Sequence, residues 1–443
     1  MGSYETGPYP DTRHPREASE LKRALLPGTI WPVHFRPMIY PARFLMAVAL
    51  LLTASGFARD YRLSLAAPTA DFAGQVISFR LPADAVKPAA LRDASGKIIP
   101  LQTDADGTAR FIVATQKSGQ ALSFTLTAAT PASANASGVA VSSEPGDLRV
   151  TVSGQPVLSY RVDPAAVPRA DIKPEILRAG YIHPVFSPAG HLVTDDYAPN
   201  HVHHHGIWAP WTKTKFQGRS PDFWNMHNKT GAEHLVGVDR TWSGPVHGGI
   251  EARLRSVDLS APTPITALNT TWALTVYSLS GTTQPARIFD LVVTHTCATS
   301  DALVLPKYHY GSFGIRGARG WNGPGDIAHF LTSEGLTDRI KGNDSRARWV
   351  YLGGAVTPGG ALAGTTVLGH PENFRAPQPV RLHPNMPYFS FVPQQLGEFS
   401  IFPGTPYVSR FRFVVTDGAP DAAFFDACYR AYATPAVVNV SPL

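Results

Sequence analysis

The sequence is poor in cysteine and in charged residues. Only two cysteines, Cys297 and Cys428, occur in 443 residues, which excludes a disulfide-rich scaffold and a CxxC metal or redox motif. They can form one disulfide in an oxidising compartment or remain two thiols, and we favour two thiols. Charged residues make up 16% of the chain, and the formal net charge is +6 without a dense Lys/Arg run. Nucleic acid is therefore not expected as a partner.

Long apolar runs are also scarce near the N-terminus. The run at residues 44–52 follows Arg43 and leads to small residues that end at Ala58. It is too short to span a bilayer, and its order of basic, apolar and small residues is typical of a secretory signal peptide. We predict a signal peptide at residues 38–58, cut near Ala58, with residues 1–37 as a non-native N-terminal extension. The mature chain is then periplasmic or secreted and has no membrane span.

The abundant residues predict an all-β fold. Forty prolines and 38 glycines indicate many turns and short strands. Apolar and polar residues alternate at 250–258, 269–279 and 287–296, whereas only residues 421–432 show a helical stripe, with Asp417 or Asp421 as its cap. We predict a small N-terminal β domain at residues 59–145. Residues 146–443 are predicted as a large antiparallel, concave β-sandwich with one C-terminal helix.

A histidine-rich segment, Asn200-His201-Val202-His203-His204-His205-Gly206-Ile207-Trp208, lies in the main domain. If it is a strand, His201, His203 and His205 share one face. That set can hold a divalent transition metal such as zinc, copper or iron, or transfer protons without a metal. Asp195 or Asp196 can then ligate the metal or orient an imidazole. The alternative is a polar loop whose histidines bond to the backbone.

A second segment, residues 307–323, is rich in glycine and aromatic residues. Lys307 and His309 share one strand phase there, and Arg316 and Arg319 follow as candidates for binding a carboxylate or sugar hydroxyls. The segment lacks the ending of a phosphate-binding loop. The indoles expected to stack on sugar rings are those of Trp208, Trp224 and Trp321. The alternative is that these aromatics belong to the core and these arginines are solvated.

A third segment contains Glu372 between His370 and Arg375. Its carboxylate in a polar turn is a candidate general acid or base, and a surface loop is the alternative interpretation.

These motifs resemble a known family. Asp195-Asp196, the histidine-rich segment, Asp222-Phe223-Trp224 and residues 308–317 look like a set of secreted bacterial proteins described as a domain of unknown function or as "methane oxygenase PmoA". The similarity covers roughly residues 150–435. It implies a part in carbohydrate utilisation and a fold similar to the sandwiches of sugar mutarotases and polysaccharide lyases.

The sequence leads to one functional hypothesis and two alternatives. The hypothesis is an exported carbohydrate-active hydrolase or lyase that acts on a glycoside or modified sugar, small molecule or oligosaccharide. Its catalytic candidates are His203, His205, His309, Asp195 and Glu372. The first alternative is a copper- or iron-dependent oxygenase, as the family label suggests. The second is a non-catalytic periplasmic sugar-binding protein.

Overall fold

A computed structural model describes residues 59–86, 89–128, 138–164, 169, 172–323 and 327–443. The predicted signal peptide and N-terminal extension lie outside these residues. Within them, no helix combines the length and apolar character needed to cross a membrane.

Strands are the main secondary structure of the described residues. The first ten are β1 (Tyr61–Leu65), β2 (Phe72–Arg80), β3 (Ala89–Asp93), β4 (Ile98–Ile99), β5 (Gln102–Thr103), β6 (Thr108–Gln116), β7 (Leu122–Ala128), β8 (Val139–Glu144), β9 (Asp147–Val152) and β10 (Gln155–Arg161). The next eight are β11 (Tyr181–Val185), β12 (Ile207–Trp208), β13 (Gly231–Trp242), β14 (His247–Asp258), β15 (Ile265–Tyr277), β16 (Ala286–Cys297), β17 (Leu303–Leu305) and β18 (Gly314–Arg316). The last eight are β19 (Ala328–Thr332), β20 (Trp349–Ala355), β21 (Leu362–Gly369), β22 (Val380–Leu382), β23 (Tyr388–Phe391), β24 (Phe399–Ile401), β25 (Tyr407–Asp417) and β26 (Val438–Pro442).

Helical structure is limited to a few segments. The α-helices are α1 (Arg339–Gly342) and α2 (Ala422–Ala433), and short 3-10 turns occupy Pro174–Ile176, Met226–Asn228, Arg319–Trp321 and Pro393–Leu396. The Asp421 carboxylate accepts a hydrogen bond from the Phe424 backbone N–H at 3.0 Å, so Asp421, not Asp417, caps α2. The buried face of α2 packs Phe425 and Cys428 against side chains of β16, β20, β21 and β25. Cys297 and Cys428 are both free thiols, as favoured from the sequence.

Two eight-stranded antiparallel sheets form the body of the molecule. Their strand orders are β22-β23-β18-β12-β11-β10-β9-β8 and β13-β14-β15-β16-β25-β21-β20-β19. Alternation along β14 and β15 turns Ile250, Leu254, Leu274 and Val276 into the common core, because side chains on a strand point to opposite faces in turn. The predicted all-β, antiparallel sandwich with one C-terminal helix of several turns is therefore confirmed.

Two smaller sheets contain the N-terminal strands. Their orders are β26-β1-β7-β3-β4 and β2-β6-β5, and residues such as Leu63, Ile77 and Phe111 are fully buried in a core of their own. Strand β26, from the C-terminal end of the described chain, pairs with β1. Strand β8 pairs with β9 and so belongs to the first large sheet.

Candidate functional site

The histidine-rich segment is a turn and not a strand. The backbone N–H of His201 donates to the Ala198 carbonyl at 3.0 Å, and that of His204 donates to the His201 carbonyl at 2.8 Å. Strand pairing resumes only at β12. Of the two alternatives, a strand or a polar loop, the segment therefore adopts the loop, and its turn sets the positions of the histidines.

Five imidazoles, which we call the imidazole cluster, lie in continuous ring contact. Their members are His201, His203, His204, His227 and His383. The ring centroids of His203 lie 5.5 Å from His201, 4.8 Å from His204 and 5.0 Å from His227. His383 joins through His201 at 6.1 Å. His204 is buried and His227 is exposed, so the cluster extends from the protein interior to solvent.

Arg316, at the end of β18, lies fully buried beneath the cluster. Its Nη1 donates to Nδ1 of His204 at 3.3 Å. Its Nη2 donates to Oδ1 of Asn200 at 2.7 Å and to Oδ1 of Asn322. No carboxylate among the residues that the structure describes lies within ion-pair distance of this guanidinium. Its Nη1 also donates to Sδ of Met386, in the loop between β22 and β23, at 3.1 Å, so Arg316 joins three loops through neutral partners.

Four of the five imidazoles of the cluster, those of His201, His203, His204 and His383, have pKa values below the usual histidine value and are neutral at neutral pH. Burial, reinforced by neighbouring imidazoles and by Arg316, lowers the pKa of His203 to about 3. Burial together with Arg381 lowers the pKa of His383 to about 4, and burial lowers the pKa of His204 well below its usual value. Burial also lowers the pKa of Arg316, to about 10, which leaves it charged. The result is a set of neutral donors and acceptors above one buried cation.

His205 lies in a separate environment from its neighbours. Its ring packs against Tyr181 and Tyr197, with centroids 4.4 Å and 4.9 Å away. Its Nδ1 lies 2.6 Å from Oδ1 of Asp196, whose other oxygen accepts from the Tyr181 hydroxyl at 2.7 Å. Burial opposes ionisation of Asp196, but these hydrogen bonds and nearby imidazoles bring its pKa below the usual value. Burial lowers the pKa of His205, so a neutral His205 donates to an ionised Asp196.

The trio predicted as metal ligands does not converge. His201 and His203 contact each other, but His205 is held by Asp196 and Tyr181. Across the described ranges, no three His, Cys, Asp or Glu side chains are arranged to hold a metal ion. The prediction of His201, His203 and His205 as one ligand set assumed a strand, and the turn removes that geometry.

Asp195 is close to Arg316 but is engaged elsewhere. Its Oδ1 accepts from Nε of Arg319 at 3.0 Å, and its backbone N–H donates to the Arg316 carbonyl at 3.1 Å. The Arg319 side chain is 54% exposed. The structure thus brings the predicted residues Asp195, Arg316 and Arg319 together, with Arg319 at the surface and Arg316 inside.

The three tryptophans predicted to stack on sugar are buried. Trp208, Trp224 and Trp321 are each at most 1% exposed. Trp208 and Trp224 pack against each other at 4.8 Å, and Trp321 donates its indole N–H to the Ala355 carbonyl at 2.8 Å. Stacking on a ligand is therefore not available to them in this conformation, because the core covers their ring faces.

Several buried polar atoms at this site have no protein hydrogen-bond partner. They are Nε1 of Trp208, Nε1 of Trp224, Nε of Arg316 and Oδ2 of Asp195. Buried polar groups are normally paired with protein, water or ligand.

Three other predicted residues lie away from the cluster. β17 ends at Leu305, so Lys307 and His309 are not in a strand and both are exposed. The His309 ring packs only on Tyr308 and Tyr310 among the described aromatic residues. Glu372 follows β21 of the other large sheet, is 68% exposed and approaches Arg410 and His370 at 3.9 Å. The structure therefore separates His309 and Glu372 from the cluster.

Four residues of the site were missed by the sequence reasoning. They are Asn200 and Asn322, which accept from Arg316, and His227 and His383, which complete the cluster. The only sequence signal for His227 was the crowding of histidines after residue 200. His383 carries no local signal, because β22 and β23 bring it to the cluster from far along the chain.

Comparisons with known proteins identify a family but not a function. Residues 147–430 match the family of unknown function DUF6807. The match covers more than half of the chain, and the chain therefore belongs to that family. No curated protein matches it.

Two solved structures are weakly similar. An α-mannosidase from Enterococcus faecalis V583 aligns with 87% of this chain and 46% of its own, at 10% identity and a TM-score of 0.37. A protein in glycosyl hydrolase family 38 from Enterococcus faecalis aligns with 87% and 47%, at 10% identity and a TM-score of 0.35. The chain spans about half the length of these proteins, and likeness at this level assigns no activity.

Proposed function

We propose that this chain is an exported carbohydrate-active enzyme that binds a glycoside or modified sugar at the imidazole cluster and transfers a proton there. The observation that carries the proposal is the continuous contact of five imidazoles that are half-buried or exposed at one end and lie above a buried arginine at the other.

The neutral state of the cluster favours a hydroxyl-rich ligand. A neutral imidazole has one donor and one acceptor nitrogen, and a hydroxyl group also donates and accepts. Several such rings in contact can pair with neighbouring hydroxyls without burying a new charge.

His203 is the best-placed base in the cluster. It is half-buried, contacts three other imidazoles, and its low pKa keeps it unprotonated at neutral pH. Partial negative charge on a bound sugar raises the pKa of an adjacent imidazole toward the range useful for proton transfer. The positive charge of Arg316, which donates a hydrogen bond to His204, then stabilises the negative charge that forms on the substrate when His203 takes a proton from it.

Asp196 and His205 act as positioning residues in this proposal. The Asp196 carboxylate fixes the His205 ring and accepts from the Tyr197 backbone N–H at 3.0 Å. These contacts hold the beginning and the end of the turn that presents His203. No step is assigned to a metal, because the side chains do not form a ligand set.

The proposal is tested by comparing His203→Ala with His309→Ala. Both variants and the wild type are assayed for cleavage of aryl glycosides and for elimination on oxidised sugars, and sugar binding is measured by calorimetry. We expect His203→Ala to lose about 100-fold or more in turnover while it retains binding, and His309→Ala, which lies outside the cluster, to remain active. Full turnover in His203→Ala contradicts the site assignment. Sugar binding by the wild type without turnover of any substrate favours a binding protein instead.

A further inference from the structure

A polar cavity lies on the outer face of the large sheet that contains β13, β14 and β15, away from the imidazole cluster. It has a volume of about 680 Å³, within the range of about 300–1,000 Å³ typical of ligand sites. We call it the Trp242 cleft. We propose that it binds a neutral oligosaccharide, independently of the chemistry at the imidazole cluster.

The regular strands β13, β14 and β15 build the floor of the cleft. Cross-strand pairing aligns Trp242 with Gly249 and Gly249 with Thr275, and likewise Glu251 with Ala273. These residues share one face because side chains alternate along a strand. The small residues Ala273 and Thr275 make a depression in that face, and the larger Trp242 and Tyr277 stand at its sides.

Trp242 is a fixed aromatic surface at this cleft. A Cβ at Gly249 would lie 2.5 Å from the indole ring, so the glycine allows the ring to lie close to the sheet. The indole N–H donates to Nδ1 of His247 at 2.9 Å, and Nε2 of His247 lies 3.2 Å from the Asp104 carboxylate. The polar edge of Trp242 is thereby satisfied, and the part of its half-buried ring that Arg240 does not cover offers apolar contact to the C–H groups of a sugar.

Hydrogen-bonding groups of both charge signs surround that indole. Arg240 lies over the ring at 4.6 Å and pairs with Glu251 at 2.7 Å. The opposite wall, from the N-terminal sheets, contributes an ion pair of Arg110 with Asp104, together with Asp106. Carboxylates and guanidinium groups can each bind adjacent hydroxyls. Their mixture, with three acidic and two basic side chains, favours an uncharged ligand over a phosphate or another anion.

Hydrogen bonds between the N-terminal sheets and the large sheet hold the two walls of the cleft together. The segment from Gln102 to Arg110 faces the large sheet across it, and Oε1 of Gln102 accepts from the backbone N–H groups of Val246 and His247 at 3.1 and 3.0 Å. The two walls are therefore held in register before any ligand arrives, which reduces the ordering cost of binding. No residue that lines the cleft belongs to the imidazole cluster.

The test is a titration of the full chain with cellotetraose, xylotetraose, mannotetraose and maltotetraose. Binding is followed by tryptophan fluorescence and by saturation-transfer NMR. Trp242→Ala removes the aromatic surface, and Ala273→Phe fills the floor without removing any polar group. Arg253→Ala is the matched control, since Arg253 and Asp239 form a comparable exposed pair on the same sheet outside the cleft. Circular dichroism and thermal unfolding establish that each variant is folded.

We expect at least one tetrasaccharide to bind the wild type. Both cleft variants should weaken this binding at least tenfold, whereas Arg253→Ala should change it less than twofold. The proposal is overturned if none of the four sugars binds the wild type. It is also overturned if Trp242→Ala and folded Ala273→Phe both bind as the wild type does, or if only His203→Ala loses binding, which would place the sugar at the imidazole cluster.

Discussion

The imidazole cluster and the Trp242 cleft are both polar regions on a β-sandwich, but the backbone builds them differently. The cleft takes its floor and sides from three long, regular strands with continuous pairing. The cluster takes its residues from a turn after residue 198, a 3-10 turn at Met226–Asn228 and the loop between β22 and β23. The first is supported by many ladder hydrogen bonds, and the second depends on side chains that join its loops.

The two regions should respond differently to the loss of a single side chain. At the cluster, the buried Arg316 makes hydrogen bonds to Asn200, Asn322 and His204 and so joins several loops at one point. At the cleft, Arg240 is 60% exposed and makes one ion pair and one ring contact. Loss of one residue should therefore disrupt the cluster but alter the cleft only locally.

The largest effect is expected when these two arginines are compared directly. Arg316→Met removes the hydrogen-bond donor to the buried His204 and to the more exposed Asn200 and Asn322, and we expect it to lower the free energy of unfolding by about 2 kcal/mol or more. Arg240→Met breaks only exposed contacts and should cost less than about 1 kcal/mol. Urea unfolding followed by fluorescence measures both. Equal losses would show that Arg316 does not organise the cluster.

A smaller effect concerns the pH dependence of stability. The pKa of His203 is lowered to about 3 and that of His247 to about 4, with burial as the main cause in each. An unfolded histidine titrates near 6.5, so below that pH the unfolded state takes up protons that the folded state does not. Stability is therefore lost as the pH falls, by at most about 1.4 kcal/mol per pH unit for each histidine.

Removal of either histidine should flatten this dependence over a different range. His203→Asn should reduce the slope from pH 6.5 down to about 3, and His247→Asn should reduce it only down to about 4. Urea unfolding at intervals of half a pH unit measures the slopes. If both variants keep the wild-type slope, the two imidazoles are not held neutral by the folded protein.

The same contrast explains how much could be predicted from the sequence. Alternation predicted the strands that became β14, β15 and β16, and the helical stripe predicted α2, because period and capping are local properties. These strands and this helix were enough to predict the all-β fold class with one C-terminal helix. The cleft lies partly on β14 and β15, so the alternation along these strands also implies which of their residues share its face, although its depth depends on the small size of Ala273 and Thr275.

The imidazole cluster could be predicted only in part. The run of histidines marked the place, but the turn that separates His205 from His203 depends on hydrogen bonds to Ala198 and Asp196. The burial of Trp208 and Trp224 likewise depends on long-range packing, which composition does not reveal. His383 reaches the cluster only because β22 and β23 pair with each other and β23 pairs with β18, which is a property of topology.

The smallest effect should appear when one neighbouring charge is removed from each region. His227 lowers the pKa of His203, and Arg240 lowers that of His247, but burial is the larger cause in both places. We therefore expect His227→Ala and Arg240→Met to raise the respective pKa values only slightly, leaving both below 6.5. NMR titration of the imidazole ring protons measures each shift. A return of His203 to its ordinary pKa in His227→Ala would mean that charge, and not burial, keeps the cluster neutral, and the role of Arg316 beneath it would have to be reconsidered.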